Sequence, residues 1–267
     1  MKYLTKITTS LLVLFFLASC GSVPVTGRKQ ILLVSESEVL SASLTQYDEY
    51  MKTAVKSTDK TKSAMVERAG KNIAAATENY LKQSGMENEI KNFKWEFTTI
   101  KDQSVNAFCM PGGKIVVFEG LLPLVATEDE LAVVIGHEVA HAVAKHSNER
   151  MSQEILAQVG ASIVDMALSQ RTAVVKQIGG TVFGLGAQLG VMLPYSRQHE
   201  YEADYLGLIF MTLAGYNPNS ALTFWQKMSA MSGNSNSSDF MSTHPSDSKR
   251  IAEIKRHLPE MEKIRGR

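Results

Sequence analysis

The sequence has little cysteine, no excess of charge of either sign and no internal repeat. Its 267 residues include 2 Cys, and 28 Lys plus Arg nearly balance 27 Asp plus Glu. Without a basic excess, the composition gives no indication of a nucleic-acid partner. The lack of self-similar segments of about 20–50 residues argues against a helical-repeat architecture. Apolar residues make up 44% of the chain, which is enough for a sizeable core and typical of a globular protein.

The first 19 residues have the pattern of a secretion signal. Two lysines precede the apolar run at residues 11–17, which is shorter than the roughly 20 residues that span a bilayer. A transmembrane anchor is the alternative interpretation. The next residues, Leu17-Ala18-Ser19-Cys20, resemble a bacterial lipobox, in which the peptide is cut before a cysteine that becomes acylated. We therefore expect a lipid anchor at Cys20 that holds the chain in the cell envelope, facing the periplasm. Gly21 in place of Asp favours the outer membrane.

The rest of the chain divides into a linker and one domain. Residues 20–34 show no sustained periodicity and contain Pro and Gly, which predicts a lipidated tether. Residues 35–267 form the predicted domain. Within it, residues 172–194 are Gly-rich and apolar but contain a lysine, so they are interpreted as a lid-like helical segment, with a membrane contact as the alternative. Residues 232–242, rich in Ser, Asn and Gly, predict a mobile loop.

Periodicity and capping patterns predict a mixed fold. Two amphipathic helices are expected between residues 35 and 85. Alternating aromatic residues at 93–97 predict a half-buried strand, and a hairpin is expected around Pro111-Gly112-Gly113. From Thr127 onward the segments are typical of helices, one of them at about 196–214. The predicted class is α+β, mainly helical, with a small β-sheet beside the helix that begins near Thr127.

That helix carries the most informative motif of the chain, His137-Glu138-Val139-Ala140-His141. Residues four apart lie on the same helix face, so both imidazoles can reach one Zn²⁺. Glu138 projects beside the metal, where its carboxylate can act as a general base on water. Chance occurrence of the spacing is the alternative, but an apolar, capped helix gains little from two His and a Glu unless they bind a metal. We expect one Zn²⁺ per chain.

A zinc site of this kind needs a third protein ligand. Glu200 and Asp204 share a helix face in the segment Glu200-Tyr201-Glu202-Ala203-Asp204. One carboxylate can bind the metal while the other accepts a hydrogen bond from a zinc-bound imidazole. A solvated acidic face explains the same pattern equally well.

These motifs resemble those of the gluzincin metallopeptidases, the family of HtpX, the Oma-type proteases and the CAAX prenyl endopeptidases. The resemblance spans roughly residues 35–257, and the chain looks like a periplasmic lipoprotein-type member. Four elements carry it: His137-Glu138-x-x-His141, Glu200-x-x-Ala203-Asp204, Asn106-Ala107-Phe108 with Pro111-Gly112-Gly113, and His244-Pro245 followed by Arg250.

The resemblance implies roles for several of these residues. Glu200, and not Glu202, would be the third zinc ligand, and Asp204 would accept a hydrogen bond from a zinc-bound imidazole. The strand containing Asn106, Ala107 and Phe108 would be an edge strand with which an extended substrate pairs.

His244 is implied to approach the metal. It would act either as a removable fourth ligand or as a catalytic donor to the oxyanion, and a loop histidine without a role is the alternative. Arg250 would pair with an active-site carboxylate or with the surface of the last helix. His146 is expected to point away from the metal, and His199 to be solvated.

The implied function is a zinc-dependent endopeptidase of the bacterial cell envelope that hydrolyses misfolded or misassembled envelope proteins. The alternative is a lipoprotein with a chaperone-like role in envelope-protein assembly and a mostly closed zinc site. A purely structural lipoprotein without zinc is a third reading. The sequence departs from integral-membrane relatives, which have several clear spanning helices. It also leaves no room before Arg267 for the helical repeats of some periplasmic relatives, so a role that depends on such repeats is not expected.

Overall fold

The computed structural model describes residues 20–159, 196–231, Phe240, Thr243, His244 and 248–266. The predicted signal peptide and the predicted lid at 172–194 lie outside these residues, as does most of the predicted loop at 232–242. None of the helices that the structure describes has both the length and the apolarity needed to cross a bilayer.

Helices dominate the described part of the chain, as the α+β prediction requires. The strands are β1 (Cys20–Ser22), β2 (Lys29–Ile31), β3 (Glu96–Ile100), β4 (Ala107–Met110) and β5 (Lys114–Phe118). The helices are α1 (Glu36–Thr53), α2 (Lys60–Gln83), α3 (Glu128–Val143), α4 (His146–Val159), α5 (Arg197–Leu213), α6 (Ser220–Met231) and α7 (Ser248–Arg265). Short 3-10 turns occur at Glu87–Ile90 and Glu119–Leu124.

The N-terminal segment differs from the expected tether, because it forms a hairpin that packs on the domain. Strands β1 and β2 are antiparallel, with Ser22 opposite Lys29. Val23 is buried in the main core, and Arg28 forms ion pairs with Glu149 of α4 and Glu202 of α5. The composition of the segment alone predicts a tether. The carboxylates that hold it are more than 100 positions away in the chain, so no local pattern could predict the contact.

The larger sheet has the order β3-β5-β4. Strands β4 and β5 form the predicted antiparallel hairpin, and Gly112 and Gly113 have φ values of 93° and 83° that favour glycine. Strand β3 runs parallel to β5. It starts at Glu96, so the stacked rings of Phe93 and Trp95 lie just before it. Because β5 lies between β3 and β4, strand β4 is at an edge of this sheet.

Helices α3 and α5 make the close contact that builds the site. A Cβ on Gly136 would lie 2.9 Å from the backbone oxygen of Gly207, and a Cβ on Gly207 would lie 2.9 Å from backbone atoms of Gly136 and His137. Only glycine allows two helix backbones to approach this closely. Since α3 carries His137 and α5 carries Glu200 and Asp204, the two glycines bring the two predicted metal-binding segments together.

Candidate metal centre

Helix α3 presents the two motif histidines from inside the core. Thr127 caps the helix by accepting a hydrogen bond from the backbone N–H of Glu130. His137 and His141 are both about 1% exposed. Their Nε2 atoms lie 3.0 Å apart, as expected for side chains one turn apart on the same face. The motif therefore directs both nitrogens to one point.

Helix α5 supplies a carboxylate to the same point. Ser196 caps this helix by accepting from the backbone N–H of His199, and the carboxylate of Glu200 is fully buried. One Glu200 oxygen lies 3.4 Å from His137 Nε2 and the other lies 3.4 Å from His141 Nε2. Glu200, which the resemblance proposed as a ligand, therefore faces both histidines.

His244 adds a fourth potential ligand from the segment before α7. Its Nδ1 lies 3.2 Å from His137 Nε2 and 3.1 Å from Glu200 Oε1. Its Nε2 lies 3.4 Å from Glu138 Oε1. The Nδ1 edge of the imidazole therefore approaches the ligand cluster, and its Nε2 approaches Glu138, the predicted general base.

The four residues fit a tetrahedral zinc ion. His137, His141, Glu200 and His244 each place a ligand atom within 4.8 Å of the other three, and all four are buried. Zinc bonds of about 2.0–2.2 Å in a tetrahedron would separate neighbouring ligand atoms by roughly 3.3–3.6 Å. The separations between these atoms given above range from 3.0 to 3.4 Å. Two imidazole nitrogens facing each other without a cation would gain little from such proximity, so the donor set fits Zn²⁺.

The pKa shifts of two of these residues, His141 and Glu200, also suit a metal. Burial holds the pKa of His141 well below its usual value, so its imidazole is neutral, as a ligand must be. For Glu200, burial raises the pKa, but Arg250, His244 and His137 together outweigh this effect and hold the pKa well below its usual value. The cluster therefore combines a neutral imidazole with an ionised carboxylate.

Glu138 lies beside the cluster and is about 1% exposed. Its Oε1 has no hydrogen-bond partner among the described residues, and the backbone N–H of Cys109 in β4 hydrogen-bonds its carboxylate. Burial raises the pKa of Glu138 above its usual value, against the opposing influence of His244 and His137. A buried carboxyl group with one oxygen that accepts no hydrogen bond can take up a proton from a nearby water.

Asp204 and Arg250 fix the orientation of His137. Asp204 Oδ1 lies 3.0 Å from His137 Nδ1, which leaves Nε2 for the metal cluster. Arg250 donates to Asp204 from Nε at 2.5 Å and from Nη2 at 2.9 Å. Its Nη1 lies 2.7 Å from Glu200 Oε2, and its guanidinium stacks 3.6 Å above the ring of Trp225. Of the two readings left open for Arg250, the structure supports the pairing with active-site carboxylates.

Sequence reasoning missed a second polar cluster behind His141. His146 points away from the metal, as expected, but its Nδ1 lies 2.9 Å from His141 Nδ1 and its Nε2 lies 3.0 Å from Glu202 Oε2. Burial lowers the pKa of His146 to about 4, against the hydrogen bond to Glu202. His199, expected to be solvated, is 2% exposed and lies 3.0 Å from Glu149. That expectation was wrong because α4 covers His199 with a carboxylate that is distant in sequence.

The proposed substrate strand lies next to this centre. Asn106 precedes β4, Ala107 begins it, and the side chains of Asn106, Ala107 and Phe108 are all buried. The side-chain oxygen of Asn106 accepts from the backbone N–H of Ala107 at 2.9 Å. The backbone N–H of Phe240 donates to the carbonyl of Val105 at 2.9 Å. The segment that carries His244 therefore makes a backbone contact at the start of the strand.

Known proteins with similar sequences are peptidases. Over 172 residues the chain is 41% identical to the mitochondrial metalloendopeptidase OMA1 of Schizosaccharomyces pombe, covering 64% of this chain and 49% of that protein. It is 27% identical over 264 residues to the metalloendopeptidase OMA1 of Homo sapiens, covering 96% and 49%. It is 27% identical over 173 residues to the beta-barrel assembly-enhancing protease of Escherichia coli, covering 62% and 35%. The chain spans about half or less of the length of these relatives.

The family match covers most of the chain. The sequence profile of peptidase family M48 matches residues 61–258, a range that contains both motif histidines, Glu200 and His244. The predicted resemblance to the zinc peptidases of the Oma and HtpX type is confirmed by this match and by the relatives. Members of this family use zinc, and the buried His and Glu cluster can hold one such ion. This chain belongs to peptidase family M48.

Proposed function

We propose that this protein is a zinc-dependent endopeptidase of the bacterial cell envelope that hydrolyses misfolded or misassembled envelope proteins. The observation that carries the catalytic part is the convergence of His137, His141 and Glu200 beside the buried carboxyl of Glu138. In this proposal the first three residues hold Zn²⁺ and Glu138 is the general base.

The residues of the chain divide the chemistry between them. When bound, Zn²⁺ supplies Lewis-acid polarisation of the scissile carbonyl and lowers the pKa of water. Glu138 removes a proton from the attacking water and then delivers it to the amine that leaves, so that the carboxylate returns to its initial state. Asp204 and Arg250 hold His137 in the tautomer that keeps Nε2 available. This proton transfer requires a carboxylate oxygen that can accept, and Oε1 of Glu138 accepts no hydrogen bond among the described residues.

An extended polypeptide is the proposed substrate. Strand β4 forms the edge of its sheet and contacts Glu138 through Cys109. A cavity lined by Pro111, Gly112, His141 and Lys145, among others, lies between the end of this strand and α3. An unfolded segment that pairs with an edge strand brings its backbone, not particular side chains, to the site. A polypeptide that has lost its fold has a backbone available for such pairing.

The envelope location rests on the N-terminal sequence and on one class of relative. Leu17-Ala18-Ser19-Cys20 has the lipobox pattern, and the similar protein of Escherichia coli is named as a beta-barrel assembly-enhancing protease. The more similar OMA1 proteins are mitochondrial. We favour a lipid anchor at Cys20 in the outer membrane, with the domain facing the periplasm and unfolded or misassembled envelope polypeptides as partners.

A second function is favoured by the position of His244. Its Nδ1 occupies the place of a fourth ligand in the cluster, so the site as seen is closed to a substrate carbonyl. A lipoprotein that binds envelope proteins during assembly and cleaves rarely would keep such a site. Binding of unfolded chains that survives the loss of Glu138 would favour this function, whereas turnover that depends on Glu138 would favour the peptidase.

The metal assignment predicts that Glu200→Ala lowers the zinc content of the purified protein well below one per chain. Glu200 is the one carboxylate among the four potential ligands, and without its negative charge we do not expect the site to hold the ion against dialysis. The matched control is Glu130→Ala, because Glu130 is also a buried glutamate but pairs with Lys227. Metal analysis should find near-stoichiometric zinc in the parent and in the control. Equal zinc contents in all three proteins would refute Glu200 as a ligand.

The anchor predicts that Cys20→Ala prevents lipid attachment and leaves the precursor uncut, since acylation precedes cleavage and needs the sulfur. Growth with radiolabelled palmitate should label the parent and not the variant. Cys109→Ala is the control, because Cys109 is buried and has no expected part in acylation. A variant that still incorporates the fatty acid would remove the lipoprotein claim and would leave the catalytic proposal intact.

A further inference from the structure

The N-terminal hairpin inserts an arginine between two helices that flank the metal centre. Arg28 donates from Nε to Glu202 Oε2 at 2.7 Å. Its other two nitrogens donate to the carboxylate of Glu149 at 3.0 and 2.7 Å. Thr26 of the same hairpin donates to the other oxygen of Glu202. The side chain of Arg28 is 18% exposed and the two carboxylates are 7–8% exposed, so these contacts are largely shielded from water.

Glu202 connects this hairpin to a zinc ligand through one histidine. Glu202 Oε2 lies 3.0 Å from His146 Nε2, and His146 Nδ1 lies 2.9 Å from His141 Nδ1. The remaining nitrogen of His141 is the one that faces His137 and Glu200. Glu202, His146 and His141 are all buried. A continuous path of short contacts therefore runs from Arg28 to His141.

The partners of each nitrogen assign one consistent direction to the hydrogen bonds. His141 must keep Nε2 unprotonated to bind zinc, so its Nδ1 carries the proton and donates to His146 Nδ1. His146 then carries its proton on Nε2 and donates it to Glu202. Glu202, an acceptor only, also receives the N–H of Arg28 and the O–H of Thr26. Each imidazole is neutral, each proton has an acceptor, and the chain of donors ends on a carboxylate.

We propose that Arg28 is a positioning residue for the zinc site, acting through Glu202 and His146 on the orientation and tautomer of His141. The hairpin at residues 20–31 is then a structural part of the metal centre and not only the link to the membrane. His137 is oriented directly by a carboxylate, because Asp204 contacts its Nδ1. The Nδ1 of His141 lies against the Nδ1 of His146, and the hairpin holds the carboxylate of Glu202 on the other side of that imidazole. The inference rests on the proposed zinc site.

The test is zinc affinity, measured by competition with a chromogenic chelator, on the whole mature protein. Arg28→Gln should weaken zinc binding by about 10–100-fold, the usual effect of losing an orienting partner of a metal-bound histidine. Lys29→Gln is the matched control, because Lys29 is the next residue of the same hairpin and its amine donates to the exposed Ser22. The control should bind zinc as the parent does. Arg28→Lys should recover part of the loss, because it keeps a positive charge next to the carboxylates.

A double-mutant cycle identifies the route. If Arg28 acts through Glu202, Glu202→Gln should weaken zinc binding by a similar factor, and adding Arg28→Gln to it should change the affinity little. Losses that simply multiply would overturn the proposed route. Glu202→Gln keeps the shape of the side chain, so it remains informative even if Arg28→Gln does not fold.

The outcomes separate this inference from the proposed function. Stoichiometric zinc in the parent with unchanged affinity in Arg28→Gln, or in Glu202→Gln, would overturn the positioning role and leave the zinc site standing. A parent that binds no zinc would overturn both. The visible spectrum of the Co²⁺-substituted protein gives a further check, because a rotated imidazole at His141 changes the ligand field, whereas a loss of general stability does not.

Discussion

Replacing Glu138 by Gln is expected to reduce peptide hydrolysis by about 10²–10⁴-fold while leaving zinc bound, because general acid–base catalysis contributes about that factor. The amide keeps the volume of the carboxyl group in a site that is about 1% exposed, so packing is preserved. It cannot accept the proton of the attacking water. Turnover of unfolded casein by the purified protein measures the effect, and metal analysis of the same sample shows that the site remains loaded.

Glu130→Gln is the control for this experiment. Glu130 is buried on the same helix but binds Lys227 and the backbone N–H of Ala126, so it tests the loss of a buried carboxylate that is remote from the site. We expect its casein turnover to match that of the parent within a few-fold. A Glu138→Gln protein that cleaves as fast as the parent would show that another group moves the proton. Loss of zinc from it would show instead that Glu138 supports the metal.

The local parts of the site were predictable from the sequence. The spacing of His137 and His141 determines a shared helix face before any tertiary contact is known, and the structure places their Nε2 atoms 3.0 Å apart. The hairpin around Gly112 and Gly113 is equally local. These features depend on residues that are close in the chain, because helix and turn geometry alone determine where such residues lie relative to one another.

The long-range parts were not predictable from the residues themselves. The pattern of Glu200 and Asp204 was equally consistent with a solvated surface, and only the resemblance favoured Glu200 as the ligand. In the structure the carboxylate of Glu200 is fully buried, which excludes a solvated acidic face, and the close approach at Gly136 and Gly207 packs its helix against α3. The surroundings of a charged residue depend on such packing and are invisible to periodicity.

The same limit explains the N-terminal hairpin. Arg28 stands in a segment with Pro and Gly that looks like a linker, and no local pattern indicates that its partners are on α4 and α5. The need for a cation is visible only once the helices are packed together. Helices α4 and α5 bring Glu149, His199 and Glu202 into a region with two further buried histidines, and the two buried carboxylates require a cation to balance them.

The segment around His244 is closed by aromatic packing as well as by the cluster. Phe240 is fully buried, with its ring centroid 4.6 Å from that of His244 and 5.8 Å from that of Trp225. Its backbone N–H also donates to the carbonyl of Val105, two residues before β4. The position of His244 at the ligand cluster is thus linked to that of Phe240 beside the sheet. If His244 moves away from the ligand cluster, we therefore expect the contacts of Phe240 to be released as well.

His244→Ala is therefore expected to raise cleavage of unfolded casein, or to promote self-cleavage, with zinc still bound by the three remaining ligands. If the closed form holds about nine-tenths of the molecules, removing the fourth ligand gives roughly a tenfold rise. His257→Ala is the control, because His257 is on α7 and contacts Glu253 and Glu260 at the surface. It should leave turnover unchanged.

The opposite result would assign His244 a different role. Its Nε2 lies 3.4 Å from Glu138 Oε1, so an imidazole at this place could also donate to the oxyanion once substrate displaces it from the metal. Loss of such a donor typically costs about 10²–10³-fold in turnover, and the variant would then be nearly inactive while fully loaded with zinc. We expect the rise in turnover, because in the structure His244 Nδ1 contacts both His137 and Glu200. A histidine that fills a ligand position must leave that position before the substrate carbonyl can occupy it. Turnover and zinc content equal to those of the parent would exclude both roles.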